Sequence, residues 1–305
     1  MPRTIGLIGV PSSAGAHWPG QEKAPAALRE LGLIERLEDA GLHVDDHGDL
    51  PSVRFRPDKR QRHQQNLSAV VEVASQVADR AEATLGADQV PLVLGGDCTI
   101  EIGVLAGALR SGRDGELGLL YIDGHADLNT PLTSPSGILD SMGVAHIIAE
   151  EGTAEELSRV GPRFPLMPEE MIVLFAYNPH ELNDAEGETL ARLRMPGYPL
   201  AGIRGRAEEI AAEALSEIER RAGRFLVHLD VDVIDFTDRS IADVPQQGAG
   251  LEAREAISCL KVFVDSPKFS GLTITEINPD HADEEGALLG AFAGSIAEVL
   301  APLGR

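Results

Sequence analysis

Short apolar runs alternate along this chain with longer segments whose apolar residues recur at helical spacing, and no hairpin signal separates one run from the next. The runs occupy residues 5–10, 91–94, 117–122 and 171–176, the stretch from Arg224 into LDVDVID at 229–235, and residues 271–276, with a further short strand at 42–46. Between them, helical spacing covers 24–39, 64–85, 100–109, 141–150, 185–193, 207–221, 252–264 and 285–300. Runs that are apolar throughout, and not only at every second position, belong to strands covered on both faces. Helices that carry the chain back between such strands leave them parallel. The pattern predicts an α/β fold with a mostly parallel central sheet between layers of helices. The 305 residues suffice for one large domain or two small ones, and no stretch has the composition of a linker.

In sheets of this kind, sites form just beyond the carboxyl ends of the strands, and the chemically capable residues fall there. DGHAD at 123–127 directly follows the run 117–122 and sets Asp123, His125 and Asp127 at every second position. If the backbone stays extended, all three side chains point to one face. Carboxylates crowded together repel, and burying them is costly unless a positive charge sits among them. A turn rich in aspartate with an incidental histidine looks the same in isolation. A second cluster decides between the two readings, because Asp230, Asp232 and Asp235 end another strand at matched spacing. GGDC at 95–98 and Glu276 also lie at strand ends. One divalent cation, or a pair, is the natural counter-charge.

Composition closes off other classes. A net charge of -23 repels nucleic acid. The apolar run near the N-terminus is too short for a signal peptide, and no later run approaches membrane-spanning length, so a cytoplasmic protein without membrane partners is expected. Two cysteines, Cys98 and Cys259, make no disulfide framework and fit a reducing compartment. Cys259 reads as a core thiol in an amphipathic helix.

With these residues assembled, the chain resembles the ureohydrolase family of arginases, agmatinases and formiminoglutamases over almost its whole length. GGDC resembles the family's GGDHS, DGHAD its DAHxD, DVDVID at 230–235 its DxDxxD, and TEINP at 275–279 its TEVNP-type segment. PAALR at 24–28 and HGDL at 47–50 are similar to its opening, and VPQQGAGL at 244–251 to its TPxxGGL. The resemblance implies one domain over 1–305, a three-layer α/β/α sandwich, and two manganese ions sharing a hydroxide that attacks a guanidinium carbon to release urea and an amine. Carried over, Asp123 and Asp230 bridge the metals, Asp127 completes one of them, and His125 and Asp232 complete the other. Glu276 contacts the guanidinium, while Asn129 and Ser136 stand where arginases hold the substrate's carboxylate. The resemblance also implies a homo-oligomer, a trimer or a hexamer, acting on a small guanidino compound.

The chemistry agrees independently. A guanidinium is a poor electrophile and water a weak nucleophile, so a site must supply hydroxide near neutral pH, which cations do. Carboxylates with an imidazole suit manganese. A strand-end Glu276 could equally serve a surface salt bridge, and Asn129 and Ser136 could be ordinary turn residues.

Departures from the pattern bear on metal and substrate. Cys98 stands where the family places a metal-ligating histidine, and a thiolate prefers softer ions than manganese, so one ion instead of two, or another divalent metal, is an open expectation. A buried, protonated cysteine touching nothing is the alternative. Asp140 stands where arginases carry a proton-shuttling histidine, and His146 is a further acid/base candidate from the following helix. Asn178 and His180 replace acids that hold the substrate's amino group in arginases, with His180 a candidate substrate contact. Phe236 replaces a proline, and the loop 237–243 is unusually polar. The expected activity is therefore hydrolysis of a guanidino or N-hydroxyguanidino compound. Hydrolysis of a formimino group, or a catalytically impaired member with a binding role, are the competing readings.

Overall fold

The computed structural model describes residues 2–113, 115–243, 250–283 and 285–305. Eight strands form one sheet: β1 Thr4–Gly9, β2 His43–Asp49, β3 Val90–Leu94, β4 Leu117–Ile122, β5 Ile172–Phe175, β6 Gly197–Tyr198, β7 Arg224–Asp230 and β8 Phe269–Thr275. Their order is β2-β1-β3-β8-β7-β4-β5-β6, and every pairing is parallel. The helices are α1 Ala24–Glu30, α2 Leu33–Asp39, α3 Leu67–Gly86, α4 Ile100–Arg110, α5 Gly143–Ile147, α6 Glu155–Ser158, α7 Asp184–Arg192, α8 Leu200–Ile203, α9 Ala207–Arg221, α10 Ala253–Val264 and α11 Ala287–Leu300. They cover both sides of the sheet: α3 packs on α4, with α5 and α6 beside them, while α9, α10, α11 and α2 form a second contiguous group. The three-layer α/β/α expectation is met.

Burial explains why the strands were legible. Every residue of β3, β4, β5, β7 and β8 is buried, which is why β3, β4 and β5 are apolar almost throughout, while β7 and β8 add the buried polar residues Arg224, His228, Asp230, Ser270, Thr273 and Thr275. The edge strand β2 is instead half exposed and holds Asp45, Asp46 and Asp49, charges that discourage pairing with another sheet. Residues 287–304 are long and apolar enough to cross a membrane by length and composition alone. Here that apolarity is used against α2 and α10, where Leu289, Phe292, Ile296 and Val299 are buried.

The structure corrects the element pattern in four places. The segment 24–39 is two helices, because Gly32 takes a left-handed φ of 78° that no continuing helix allows. The expected helix at 141–150 shrinks to a 3-10 turn at 140–142 followed by α5. The very short β6, α6 and α8 were not foreseen, since two to four residues display no period. Finally, neither acidic motif continues its strand. β4 ends at Ile122, β7 ends at Asp230, and Val231–Val233 is a 3-10 turn. The resemblance at VPQQGAGL falls mostly outside the described residues, which resume at Gly250.

The sheet order positions the site. β3, β8, β7 and β4 are its four central strands. The chain reaches β3 before crossing to β4, and returns later to fill the gap with β7 and β8. Loops leaving these strands therefore open outward at one rim, as at a topological switch point.

Candidate metal centre and active site

The loop after β3 carries Cys98, and packing of backbone on backbone fixes its course. Gly96 lies so close to Ser12 that an added Cβ would stand 1.9 Å from the Ser12 carbonyl oxygen. Gly96 N–H donates to Val10 O at 3.1 Å, and the Gly96 carbonyl accepts from Glu276 N–H at 2.9 Å. Cys98, held at the entrance to α4, donates its N–H to Asp140 Oδ1 at 2.7 Å. Its thiol donates to Asp230 Oδ2 at 3.0 Å and lies 3.2 Å from Thr275 Oγ1.

The DGHAD loop converges by bending, not by a strand's alternation. His125 N–H donates to Asp123 Oδ1 at 2.6 Å, and Gly124 N–H to Asp232 Oδ1 at 3.2 Å. His125 Nδ1 then sits 2.9 Å from Asp232 Oδ2 and 3.5 Å from Asp123 Oδ1. Asp127 takes a left-handed φ of 51° and accepts from the Tyr121 hydroxyl at 2.5 Å. Glu276 and Ala176, also at strand ends, have φ of 62° and 73°. Such strain in non-glycine residues persists only where the surroundings enforce it, and it concentrates at functional sites. Glu276 Oε2 accepts from Gln21 Nε2 at 3.0 Å, and the same amide donates to Asp243 Oδ2 at 2.8 Å.

These groups enclose a cavity of about 110 Å³ lined by His17, Cys98, His125, Asp127, Asp140, Ser141, Asp230, Asp232 and Glu276. Larger, more open hollows exist, for example about 560 Å³ over Arg206 and Arg254, but no comparable set of buried acids lines that one. Burial, reinforced by the charge of Asp232, pushes the Asp123 carboxyl up from its ordinary range. Burial and the neighbouring acids push Asp127, Asp140, Asp230 and Glu276 well up. Burial alone would lower His125, yet the Asp232 and Asp123 carboxylates outweigh it and raise the imidazole well above its usual value. The Cys98 thiol is pushed up by burial and then by Asp230 and Asp140.

Buried acids in this number call for more positive charge than one imidazole supplies. Asp123 Oδ2 and Glu276 Oε1 are buried with no hydrogen-bond partner. Donor atoms of Asp123, His125 and Asp232 lie within 4.8 Å of one another, as do those of Cys98, Asp140 and Glu276. Oxygen donors with one imidazole are a fitting set for a divalent cation.

Every metal-ligand candidate comes to this centre, as do Asp140 and Glu276. The remaining candidates do not line the cavity. Asn129 Oδ1 accepts from Asn183 Nδ2 at 2.8 Å and from Thr133 Oγ1 at 3.1 Å. Ser136 Oγ lies 3.3 Å from Ser134 Oγ, and His180 is exposed. His146 is fully enclosed, its Nδ1–H donating to Met142 O at 2.8 Å and its Nε2 accepting from Ala154 N–H at 3.1 Å. Burial lowers its pKa to about 4. The ring thus ties the start of α5, through Met142, to the turn that follows the helix, through Ala154. His146→Leu is expected to cost about 1–3 kcal/mol by orphaning those backbone groups, measured by denaturant unfolding, with turnover per folded molecule unchanged. A fall in turnover at constant stability would instead return His146 to the chemistry.

His17, Ser141, Gln21 and His228 were not singled out in the sequence. For His17 the signal was its place in the Ser/Gly-rich loop after β1. For His228 it was its position two residues before Asp230, on the same strand face.

A rim of buried acids with His17 and His125, at the switch point of a parallel sheet, is a donor set of the kind that metal-dependent hydrolases use. The model of the Arginase family matches residues 3–297, and the chain belongs to that family. It is 31% identical over 297 residues to an arginase of Bacillus subtilis (strain 168), covering 94% of this chain and 95% of that one. It superposes on the arginase of Bacillus caldovelox with a TM-score of 0.86 at 26% identity, over 98% of each chain. The formimidoylglutamase of Bacillus subtilis shares the fold, with a TM-score of 0.73 at 17% identity over 99% of this chain and 87% of that one. The protein is accordingly a hydrolase acting on amidino C–N bonds, and its family is metal-dependent.

Proposed function

We propose that the protein cleaves an arginine-like guanidino or N-hydroxyguanidino compound to urea and an amine. The carrying observation is the small cavity lined by buried carboxyl groups, with Glu276 Oε1 left unpartnered beside the acids that would hold the cation. A planar cation with several N–H donors satisfies such an acceptor. Asp123, His125, Asp127, Asp230 and Asp232 would hold manganese, with Cys98 favouring a softer divalent ion on its side. When bound, the cations supply a nucleophilic oxygen at neutral pH by lowering the pKa of water.

The remaining roles fall to the chain itself. Glu276, oriented by Gln21, binds and orients the guanidinium. Tyr121 fixes the Asp127 carboxylate. Asp140, whose carboxyl is raised mainly by burial, retains a proton to a higher pH than an exposed acid and can pass it to the leaving amine. Asn129, Ser136 and His180 lie outside the cavity lining and would contact the rest of the substrate only after its binding reorders their loops.

The choice of substrate rests on Asn178 and His180. Neither carries the fixed negative charge that holds a free α-amino group, so arginine is bound less securely there, and between compounds that share that group the less basic N-hydroxyguanidine gains an easier attack at carbon. With arginine, agmatine, an N-hydroxyguanidine analogue of arginine and formiminoglutamate at equal concentration, the N-hydroxyguanidine is expected to show kcat/KM at least about tenfold above arginine, or ~1.4 kcal/mol of transition-state stabilisation. Greater urea release from arginine overturns this preference. Formamide in place of urea identifies a formimino hydrolase, and no product from any of the four identifies a binding role. Two unpaired, buried cysteines support a reducing cytoplasm. One sheet taking strands from residue 4 to residue 275 supports a single domain over 1–305. The family resemblance supports a trimer or hexamer, measurable by sedimentation.

A further inference from the structure

His228 has no place in the chemistry above, yet its surroundings are those of a metal ligand. It points from β7 to the face that carries Asp230, in register with Tyr121 of β4 and Thr273 of β8. Its ring is fully buried and stacks on Tyr121, with centroids 4.2 Å apart and planes within 2°. Nε2 lies 3.2 Å from Thr275 Oγ1, the hydroxyl that is itself 3.2 Å from Cys98 Sγ. Nδ1 faces the other way, 3.4 Å from Glu101 Oε2.

Glu101 is also fully buried, in the first turn of α4, and neither its carboxylate oxygens nor His228 Nδ1 has a hydrogen-bond partner, so the two face each other at 3.4 Å as an unmade pair. A carboxylate behind one nitrogen of a buried imidazole, with the other nitrogen turned toward acids and a thiol, is the arrangement that orients histidines onto metals. A ring nitrogen of His228, the Cys98 sulfur and an Asp123 carboxylate oxygen lie within 4.8 Å of one another. An ion shared by such a trio would need bonds of roughly 2.0–2.3 Å to each donor. Asp123 Oδ2, buried and unpartnered, is available for it.

We propose that His228 supplies from strand β7 the imidazole that position 98 lacks, so that Cys98, His228 and Asp123 hold a thiophilic cation of the Zn²⁺ or Co²⁺ class. The centre is then a mixed pair. A hard ion sits at Asp123, His125 and Asp232, a soft ion sits beneath it, and Asp123 is common to both. Glu101 is a positioning residue that acts through His228. The inference rests on the metal-dependent reading of this site and adds to it the ligand and the class of the second ion.

The test uses the full chain, stripped of metal and titrated with Co²⁺ alone, then with Mn²⁺ and Co²⁺ together. The wild type is expected to bind two equivalents of Co²⁺ and to develop the near-ultraviolet absorption of a thiolate–cobalt bond. H228Q, checked by circular dichroism, is expected to bind one equivalent and lose that band while retaining Mn²⁺. E101Q keeps both equivalents, with the thiolate-linked one about 10–100-fold weaker. The inference is overturned if H228Q keeps two equivalents and the band at unchanged affinity. Should H228Q fail to fold, an unchanged affinity in E101Q overturns it. A wild type that binds one ion without the band, yet releases urea, sinks this inference and leaves the hydrolase reading standing. A wild type with the His228-dependent band that cleaves no guanidine does the reverse.

Discussion

Asp123→Asn is expected to fold and to lose hydrolysis by on the order of 10³–10⁴-fold. Asp123 is the one carboxylate whose donor atoms belong both to the trio with His125 and Asp232 and to the trio with Cys98 and His228. Removing its charge therefore weakens cation binding at both places. A bound cation contributes several kcal/mol of transition-state stabilisation, and each ~1.36 kcal/mol is a factor of ten in rate. The same change should not harm the metal-free fold. Burial and the Asp232 charge oppose ionisation of Asp123, so a neutral amide of nearly equal shape relieves repulsion. Steady-state kinetics with metal analysis tests the first half, and thermal unfolding of the stripped protein the second. Residual turnover within tenfold of wild type would falsify the central role given to Asp123.

The second large effect concerns pH. Exposed carboxyls in the unfolded chain titrate near pH 4, whereas Asp123 is raised and Asp127, Asp140, Asp230 and Glu276 are well raised in the folded protein. Above about pH 4 the folded, metal-free chain holds protons that the unfolded chain has released. Its stability must therefore fall as pH rises through the folded values of these groups. His125 acts in the same sense. Its pKa is raised on folding, mainly by the Asp232 and Asp123 charges overcoming burial, so its contribution is full below about pH 6.5 and is lost as pH rises through the folded value.

A bound cation reverses the sign for the carboxylates, because it favours their ionised form. Its stabilisation is then present at neutral pH and lost as pH falls. At a hundredfold excess over Kd the cation is expected to add about 2.7 kcal/mol, roughly 5 °C in Tm for a chain of this size. The gain should widen from pH 5 to pH 8. A metal-dependent shift of the same size at both pH values would contradict the account of the cluster as a site held together by its ion.

The fold was legible because burial on both faces leaves strands such as Leu117–Ile122 and Ile172–Phe175 nearly free of polar residues, and because the helices between them keep their period. The helix break at Gly32 was not legible, since leucine spacing runs across it undisturbed. At the site, the metal ligands could be read from residue type and position after a strand, but not from the geometry assumed for them. The alternation of an extended DGHAD would have aligned its side chains, whereas the structure bends the chain at Asp127 and uses backbone hydrogen bonds to turn His125 onto Asp232. His228 was hidden by its context, as a polar residue inside an apolar strand reads as core. His146 misled for the opposite reason. Its proximity in sequence to Asp140 says nothing about the way α5 turns the ring into the interior.

Gly96 carries a consequence for how this centre could change over evolutionary time. With no room for even a methyl group against Ser12, the main chain leading to residue 98 is held to one path whatever side chain that residue bears. An exchange of imidazole for thiol there alters the element preferred by the pocket without redrawing the loop that presents it. A single codon is enough to begin such a switch, and the donor that completes it in the arrangement proposed above stands on β7, with β8 between it and the strand that leads to residue 98.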